Sequence, residues 1–200
     1  MTARTRLRDL LARCSYRHDP AAPFHLSSGK QSPYYVDCKA TTMRGEAADL
    51  VGAAILEHVP AEAEAVGGLT MGADPIAYAV ASYGTRHGRP LNAFSVRKEA
   101  KRHGLGKWVE GCATRGTAVV VIDDVVTTGG STIDAIRKCR EEGLRVVAVV
   151  ALVDREEESG RENIVQAAGP DVPVTAIFTL RELREHAPGD SSTRSRTAAG

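Results

Sequence analysis

The stretch VVVIDDVVTTGGST, Val119 to Thr132, combines an apolar run, two adjacent acids and a turn rich in Thr and Gly. The apolar run predicts a buried strand over Ala118–Ile122, and the periodicity after the turn predicts a helix over Ser131–Glu142. In open α/β sheets, the loop that follows the carboxyl end of a parallel strand lies in the crevice where ligands bind. The stretch therefore predicts a ligand site between a strand and a helix.

The turn itself has the composition of a phosphate site. Gly129 and Gly130 allow the backbone to approach a ligand closely, and the N–H groups of Thr128 to Thr132 would point outward at a helix N-terminus. Asp123 and Asp124 would repel a bare phosphate, so we expect them to accept hydrogen bonds from vicinal ribose hydroxyls, directly or through Mg²⁺. The alternative is a plain strand-to-turn junction with solvated acids.

Other phosphate-binding motifs do not fit the chain. No G-x-G-x-x-G follows a strand, and neither Gly29-Lys30 nor Gly106-Lys107 has the earlier glycine that a Walker loop requires. Nucleotide hydrolysis and dinucleotide redox chemistry are therefore disfavoured. The remaining interpretation is a site for a sugar phosphate.

The rest of the chain predicts a single α/β domain over residues 1–186. An amphipathic helix around Leu7 and another over Glu46–His58 precede short apolar runs that alternate with helical stretches, which indicates a largely parallel sheet covered by helices. The run VVAVVALV is apolar on both faces, as in a central parallel strand. These runs and stretches are Ala65–Gly67, Pro75–Tyr83, Leu91–Val96, Ala118–Ile122, Ser131–Glu142, Val146–Val153 and Val174–Phe178, followed by a capping-box pattern at Thr179 and Glu182.

Composition limits the classes of partner. The 26 Lys and Arg residues nearly balance the 25 Asp and Glu residues, so no overall field would draw the protein to nucleic acid or a membrane surface. The four cysteines contain no C-x-x-C pair, which disfavours a zinc site and a disulfide scaffold and fits reduced thiols in the cytoplasm. Residues 187–200 are polar and small, and we expect them to be a disordered tail.

A family resemblance covers roughly Leu7 to Glu185. VVVIDDVVTTGGS resembles the phosphoribosyl-pyrophosphate signature of the type I phosphoribosyltransferases, and three further segments resemble orotate phosphoribosyltransferase. The resemblance implies the type I fold, a parallel Rossmann-like sheet flanked by helices, with a small N-terminal hood contributed by about residues 1–40. The three segments are Phe24–Asp37 in the hood, Ser95–Gly111 in a mobile catalytic loop, and Leu152–Glu157.

The resemblance implies transfer of ribose 5-phosphate from phosphoribosyl pyrophosphate to orotate, with Mg²⁺, in a homodimer with shared active sites. No residue is assigned as a metal ligand. Catalysis is expected to depend on Asp123, Asp124 and Lys101, and we expect Lys101 to have the largest effect on the rate. The expected ligands of phosphoribosyl pyrophosphate are Arg97, Lys98, Lys101, His103, Asp123, Asp124, Val125, Val126, Thr127, Thr128, Gly129, Gly130 and Ser131.

The catalytic loop has the charge that this chemistry requires. Most residues from Arg97 to Lys107 are Arg, Lys, His or Gly, which suits a mobile cationic loop that closes on an anion. Such a charge run on its own is more often a solvated loop. A sugar pyrophosphate carries several negative charges, however, and the two acids add more, so cations must come from elsewhere.

Orotate is expected to contact Arg155, Thr127 and Lys30. Arg155 follows a strand end, and a guanidinium can hold a planar carboxylate through two parallel hydrogen bonds. The alternative for Arg155 is an ion pair within Glu156–Glu158. Lys30 is a possible substitute for a lysine that many relatives carry where this chain has Ser27.

Three questions remain open at this stage. Tyr34 and Tyr35 either cover a flat base or form half-buried core. Met71 stands where many relatives carry lysine in a pyrophosphate loop. Two rival functions are transfer to a purine or another base, which the position of Arg155 disfavours, and a regulator that only senses phosphoribosyl pyrophosphate.

Overall fold

A six-stranded sheet with helices on both faces forms the centre of the molecule. The computed structural model describes residues 1–25, 29–100 and 107–188. Along the chain its elements are α1 (Ala3–Cys14), β1 (Tyr16–His18), β2 (Phe24–His25), β3 (Gln31–Ser32), β4 (Tyr34–Val36), α2 (Lys39–Thr42), α3 (Gly45–Leu56), β5 (Ala65–Leu69), α4 (Ala73–Arg86), β6 (Asn92–Val96), β7 (Val109–Gly111), β8 (Ala118–Val126), α5 (Gly130–Glu141), β9 (Arg145–Asp154), α6 (Gly160–Ala168), β10 (Val174–Thr179) and α7 (Leu180–His186).

The strand order is β10-β9-β8-β5-β6-β7, and all neighbours are parallel except β6 and β7. The predicted largely parallel sheet is therefore confirmed. Strand β9 lies between β8 and β10 and is buried along nearly its whole length, as its apolar sequence predicted. None of the helices in the described ranges is both long and apolar enough to cross a bilayer.

Strand β8 shows how the two layers of the core are made. Successive side chains of a strand point to opposite faces, so Val120 and Ile122 pack on one side and Val119 and Val121 on the other. The first side is covered by α1, α3, α4 and α7, and the second by α5 and α6.

The predicted end of β8 was wrong. The strand does not stop at Ile122 but continues to Val126, because Val125 and Val126 pair in register with Val153 and Asp154 of β9. The two acids therefore lie within the strand rather than in the turn. Helix α5 matches its prediction to within one residue at each end.

The N-terminal region consists of short antiparallel pairs. Strand β1 pairs with β4, with Tyr16 opposite Val36, and β2 pairs with β3, with Phe24 opposite Ser32. These strands have two or three residues each, too few for an alternating pattern to be recognisable in the sequence. The predicted capping box at the start of α7 is confirmed, since the side chain of Thr179 accepts from the backbone of Glu182 and the reverse bond also forms.

Close packing of α3 on α4 depends on Gly52. A Cβ at this position would lie 2.4 Å from the Cβ of Tyr83 and 2.8 Å from the carbonyl oxygen of Ala79. We expect Gly52→Ala to lower the free energy of unfolding by about 1 to 3 kcal/mol, because the helices must separate. Chemical denaturation of both proteins measures the change.

Gly45 provides the matched control, because a Cβ there would meet nothing within 4 Å. Alanine has the better helix propensity by about 1 kcal/mol, so Gly45→Ala should leave stability unchanged or raise it. Equal stability of the two variants would contradict the packing argument.

Candidate active site

Asp124 lies at the carboxyl end of β8 on the face of the sheet that carries α4. Its carboxylate is close to the turn before α4, since a Cβ on Gly72 would lie 2.3 Å from Asp124 Oδ1. Lys39 Nζ is 4.0 Å from Asp124 Oδ2, and the Cys38 thiol donates to the Asp124 carbonyl at 3.5 Å. The side chain of Asp124 is 18% exposed, so a ligand can still reach it.

Asp123 points to the opposite face and is held by the protein. Its Oδ2 accepts a hydrogen bond from Thr132 Oγ1 at 2.5 Å, and its Oδ1 accepts from the backbone N–H of Asp124 at 2.9 Å. Burial raises the pKa of Asp123 to about 7, and the neighbouring charge of Asp124 acts in the same direction. The two carboxyl groups have different neighbours, because adjacent residues of a strand alternate, but their side chains remain in contact with each other.

The turn after β8 forms the start of α5. Gly129 has φ +81°, and a Cβ there would lie 2.7 Å from the carbonyl oxygen of Gly160, so both conformation and space favour glycine. The backbone N–H of Gly130 donates to Thr128 Oγ1 at 3.3 Å. First-turn N–H groups have no acceptor within a helix, and α5 has no acid in its first turn. This N-terminus can therefore bind an anion.

The other predicted phosphate contacts differ in exposure. Val126 is buried in the core beside α5, and Val125 packs against the core on the other face, so only their backbone atoms can reach a ligand. Thr127 is half-buried at the start of the turn, whereas Ser131, in the first turn of α5, is exposed.

Arg155 lies on the same sheet edge, as predicted, and its backbone N–H donates to the carbonyl of Val126 at 3.0 Å. Its side chain is 3% exposed, and Nε and Nη2 each donate to a carboxylate oxygen of Glu157 at 3.1 Å. Nη2 also lies 3.3 Å from Ser32 Oγ and 3.4 Å from the Tyr34 carbonyl. The ion pair that was the alternative for Arg155 is thus present.

The hood contacts this edge through further side chains. Lys30 Nζ pairs with Glu158 at 2.5 Å and is largely exposed. Tyr34 stacks on His18 at 4.7 Å between ring centroids, and the guanidinium of Arg184 lies 4.3 Å from the Tyr34 ring. The ring of Tyr34 therefore packs within the protein.

Tyr35 differs from its neighbour in the hood. It is 38% exposed and stacks on Phe24 at 5.4 Å between ring centroids. Of the two tyrosines, Tyr35 is thus the one with more surface open to a ligand.

Of the catalytic loop, the structure describes residues 95–100 and 107–111. Arg97 donates from Nη1 to Glu110 at 3.3 Å and from Nε to the Glu99 carbonyl at 3.2 Å, and Lys98 is exposed. These residues line an open cleft of about 490 Å³ together with Thr70 and Ser95. The predicted ligands Lys101 and His103 lie outside the described residues, as does Ser27.

Two residues near the site were missed by the sequence analysis. Asp74 accepts from Thr70 Oγ1 at 2.6 Å and from Ser95 Oγ at 2.7 Å, which ties the turn before α4 to the end of β6. Lys39, beside Asp124, follows the hood segment by two positions. Within residues 1–25, 29–100 and 107–188, no group of three His, Cys, Asp or Glu side chains could hold a metal ion.

Known proteins are similar in sequence to almost the whole of this chain. Orotate phosphoribosyltransferase of Aquifex aeolicus is 45% identical over 92% of this chain and 98% of its own length. The chain belongs to the orotate phosphoribosyltransferase family. No family model matches it.

Solved structures of the family from Mycobacterium tuberculosis H37Rv share the fold. The orotate phosphoribosyltransferase in complex with Fe(III) dicitrate is 36% identical with a TM-score of 0.76, over 91% of this chain and 99% of that one. The complex with 5-phospho-α-D-ribosyl 1-diphosphate is 32% identical with a TM-score of 0.71, over the same shares. The fold expected from the resemblance, a type I phosphoribosyltransferase fold, is confirmed.

The raised pKa of Asp123 makes a prediction about stability. The ordinary pKa of the carboxyl is 3.8, and the pKa in the folded protein is about 7. At pH values between these two, Asp123 keeps its proton in the folded protein but loses it in the unfolded chain. The folded state then binds more protons, so the contribution of this residue to stability decreases as pH rises through that window. Asp123→Asn removes the titration and keeps an oxygen that can accept from the N–H of Asp124.

The measurement is the free energy of unfolding of both proteins from pH about 4 to about 8, without divalent cations. The stability of the wild type relative to Asp123→Asn should decrease up to pH about 7 and then become constant. A difference that is constant across the whole range would contradict the raised pKa.

Proposed function

We propose that this member of the family transfers ribose 5-phosphate from phosphoribosyl pyrophosphate to N1 of orotate, which gives orotidine 5-phosphate and pyrophosphate in pyrimidine synthesis. The proposal rests above all on one observation: a buried guanidinium, that of Arg155, follows β9 on the same sheet edge as the anion-binding start of α5. A purine offers no carboxylate for such a group, whereas orotate does.

The donor would bind along the ends of β8 and β6. The turn from Thr127 to Ser131 suits the 5-phosphate, because its N–H groups face an anion at the start of α5. The partly exposed carboxylate of Asp124 suits the ribose hydroxyls, and we propose that Asp123 holds the ribose with it. Asp123 also supports the turn through Thr132. Pyrophosphate would meet Arg97, Lys98, Lys101 and His103.

Orotate binding requires an exchange of partners at Arg155. Glu157 now occupies two of the guanidinium donors, in the geometry that a ligand carboxylate would adopt. We propose that the carboxylate of orotate takes this place, while Thr127 and Lys30 contribute further contacts. Glu157 is partly exposed and can be solvated when it is displaced.

Mg²⁺ fits this site as an ion carried largely by the substrate. The ion is usually bound by one or two carboxylates together with phosphate oxygens and water, and Asp124 is a partly exposed carboxylate at the ribose position. When bound, it would neutralise charge on the pyrophosphate.

Catalysis in this scheme is mainly electrostatic. As the bond between C1 and pyrophosphate lengthens, positive charge develops on the ribose and negative charge on the leaving group. The basic residues of the loop that begins at Arg97 stabilise the second charge. Lys101 is proposed to contribute most to this stabilisation.

The central test is formation of orotidine 5-phosphate by the purified protein, with adenine and hypoxanthine as competing bases. We expect orotate alone to be used. Arg155→Ala should lower kcat/KM for orotate, with a loss of transition-state stabilisation of about 2 to 5 kcal/mol, because a desolvated carboxylate loses its partner. Binding of phosphoribosyl pyrophosphate should not change.

Arg161→Ala is the matched control, since Arg161 is an exposed arginine at the start of α6 that donates to the Val174 carbonyl. It should leave orotate use unchanged. Turnover of a purine but not of orotate would contradict the substrate assignment, and binding of phosphoribosyl pyrophosphate without turnover of any base would favour a sensing regulator.

We also propose a homodimer with shared active sites. Met43, Met71 and Tyr78 are exposed at 55%, 59% and 66%, and they lie at the end of α2 and around the start of α4, which pack on each other. Exposed apolar side chains of this size on two packed helices suit contact with a second copy of the chain. The loop that contains Lys98 would then reach the neighbouring subunit.

A mixture of two inactive variants tests this arrangement. Lys98→Ala and Asp124→Asn are each expected to be inactive as homodimers. If Lys98 acts in the partner's site, a mixed dimer has one site with both defects and one with neither, so about half of the sites in mixed dimers are intact. Turnover should reappear when subunits exchange.

The exchange itself needs a control in which tagged and untagged wild-type subunits are mixed and recovered together. If the loop serves its own subunit, every site retains one defect and no activity returns. Absence of recovery despite proven exchange, or a monomer by light scattering, would contradict shared sites.

A further inference from the structure

Lys138 on α5 is a lysine in an unusual environment. Its side chain is 2% exposed, and lysine is rarely buried without a specific set of partners. Nζ donates to the carbonyl oxygens of Arg97 and Lys98, both at 2.9 Å, and to Asp134 Oδ2 at 2.7 Å. An ammonium has three protons to donate, and here all three have acceptors.

Arg97 and Lys98 lie near the start of the catalytic loop, and the same ammonium also contacts Trp108 near its other end. Nζ lies 4.4 Å from the centre of the Trp108 ring, a cation–π distance. The backbone N–H of Trp108 donates to Glu142 Oε1 at 2.7 Å, one turn after Lys138. The two ends are joined to each other, because the N–H of Arg97 donates to the Trp108 carbonyl at 2.9 Å.

The buried charge is balanced locally. Burial opposes ionisation of Asp134, but hydrogen bonds from Lys138 and Arg137 lower the pKa of this carboxyl below its usual value. Asp134 therefore stays charged and anchors Nζ at 2.7 Å from its own turn of the helix. The two loop carbonyls then complete the coordination of the ammonium.

We propose that Lys138 is a positioning residue that fixes both ends of the catalytic loop, through Arg97 and Lys98 at one end and Trp108 at the other, on helix α5. The proposal rests on the proposed function, in which this loop supplies the cations for pyrophosphate. Helix α5 also begins with the phosphate-binding turn at Gly129, so one rigid element would hold the 5-phosphate and the base of the loop at a fixed distance. Lys138 itself touches no substrate.

Loss of the ammonium should therefore affect the chemical step and spare the phosphate site. In Lys138→Met the side chain keeps its length, but the carbonyls of Arg97 and Lys98 lose their donor. Displacement of a catalytic group by about 1 Å can cost about a hundredfold in rate, so we expect kcat to decrease by about ten- to a hundredfold. The inhibition constant of ribose 5-phosphate should not change, because the start of α5 remains intact.

Arg137→Met is the matched control. Arg137 is the preceding residue of the same helix, also pairs with Asp134 and is 52% exposed. Its guanidinium lies 5.9 Å from the centre of the Trp108 ring, but it donates to neither loop carbonyl. This variant should keep the kcat of the wild type. Both variants are assayed below their melting temperatures, with folding verified by circular dichroism.

Trp108 gives a second readout that does not depend on turnover, since it is the only tryptophan of the chain. Release of the loop ends in Lys138→Met should shift its emission to longer wavelength in the absence of ligand. Arg140→Met should not, because the exposed Arg140 of the same helix donates to the carbonyls of Ala167 and Ala168 on α6 and not to the loop. If Lys138→Met does not fold, Trp108→Leu removes the ring from the other end of the same contact and should lower kcat with the same unchanged inhibition constant.

The possible outcomes separate the two proposals. A wild type that makes no orotidine 5-phosphate overturns the proposed function, and the emission of Trp108 still shows whether Lys138 holds the loop ends. A folded Lys138→Met enzyme with the kcat and emission of the wild type overturns the role of Lys138. An equal loss of kcat and of ribose 5-phosphate binding also overturns it, because that result indicates general damage to the fold.

Discussion

The register of β8 against β9 is the constraint on which the site depends. Val126 lies opposite Asp154, so the residues that follow the two strands, Thr127 and Arg155, start from the same edge of the sheet. The backbone bond from Arg155 to Val126 extends this register by one step. A shift by one residue would turn Asp124 into the opposite layer. The positions of the phosphate turn, the acid and the guanidinium are therefore set by one pairing of two buried strands.

Charged groups near this edge already have partners before any ligand arrives. Arg155 is paired with Glu157, and Lys30 with Glu158. A substrate must therefore replace a partner rather than fill an empty position, which reduces the net gain in free energy on binding. The same exchange favours selectivity, because a base without a carboxylate would displace Glu157 and leave a buried guanidinium unpaired. On the proposed function, discrimination against purines thus follows from the ion pair itself.

The sequence predicted those features that depend on neighbouring residues. The turn at Gly129, the capping box at Thr179 and the doubly apolar strand β9 each follow from a local pattern, and all three are present. The opposite orientation of Asp123 and Asp124 could also have been inferred, because Val125 and Val126 continue the strand beyond the acids. The burial of Lys138 could not, because lysine is normally exposed and its acceptors at Arg97 and Lys98 are distant in sequence. Tertiary contacts of this kind leave no periodic signal.

Helix α5 connects the parts of the site mechanically. The phosphate turn that precedes it packs on the start of α6 so closely that a Cβ at Gly160 would lie 2.2 Å from the carbonyl oxygen of Thr127. Asn163 of α6 donates to the Thr128 carbonyl at 3.1 Å and to the Glu158 carbonyl at 3.3 Å, which joins the phosphate turn to the loop after β9. The far end of α5 holds Trp108 through Glu142. Because a helix with a packed face moves as one body, α5 sets the distance between the phosphate turn at its start and the base of the catalytic loop near its end.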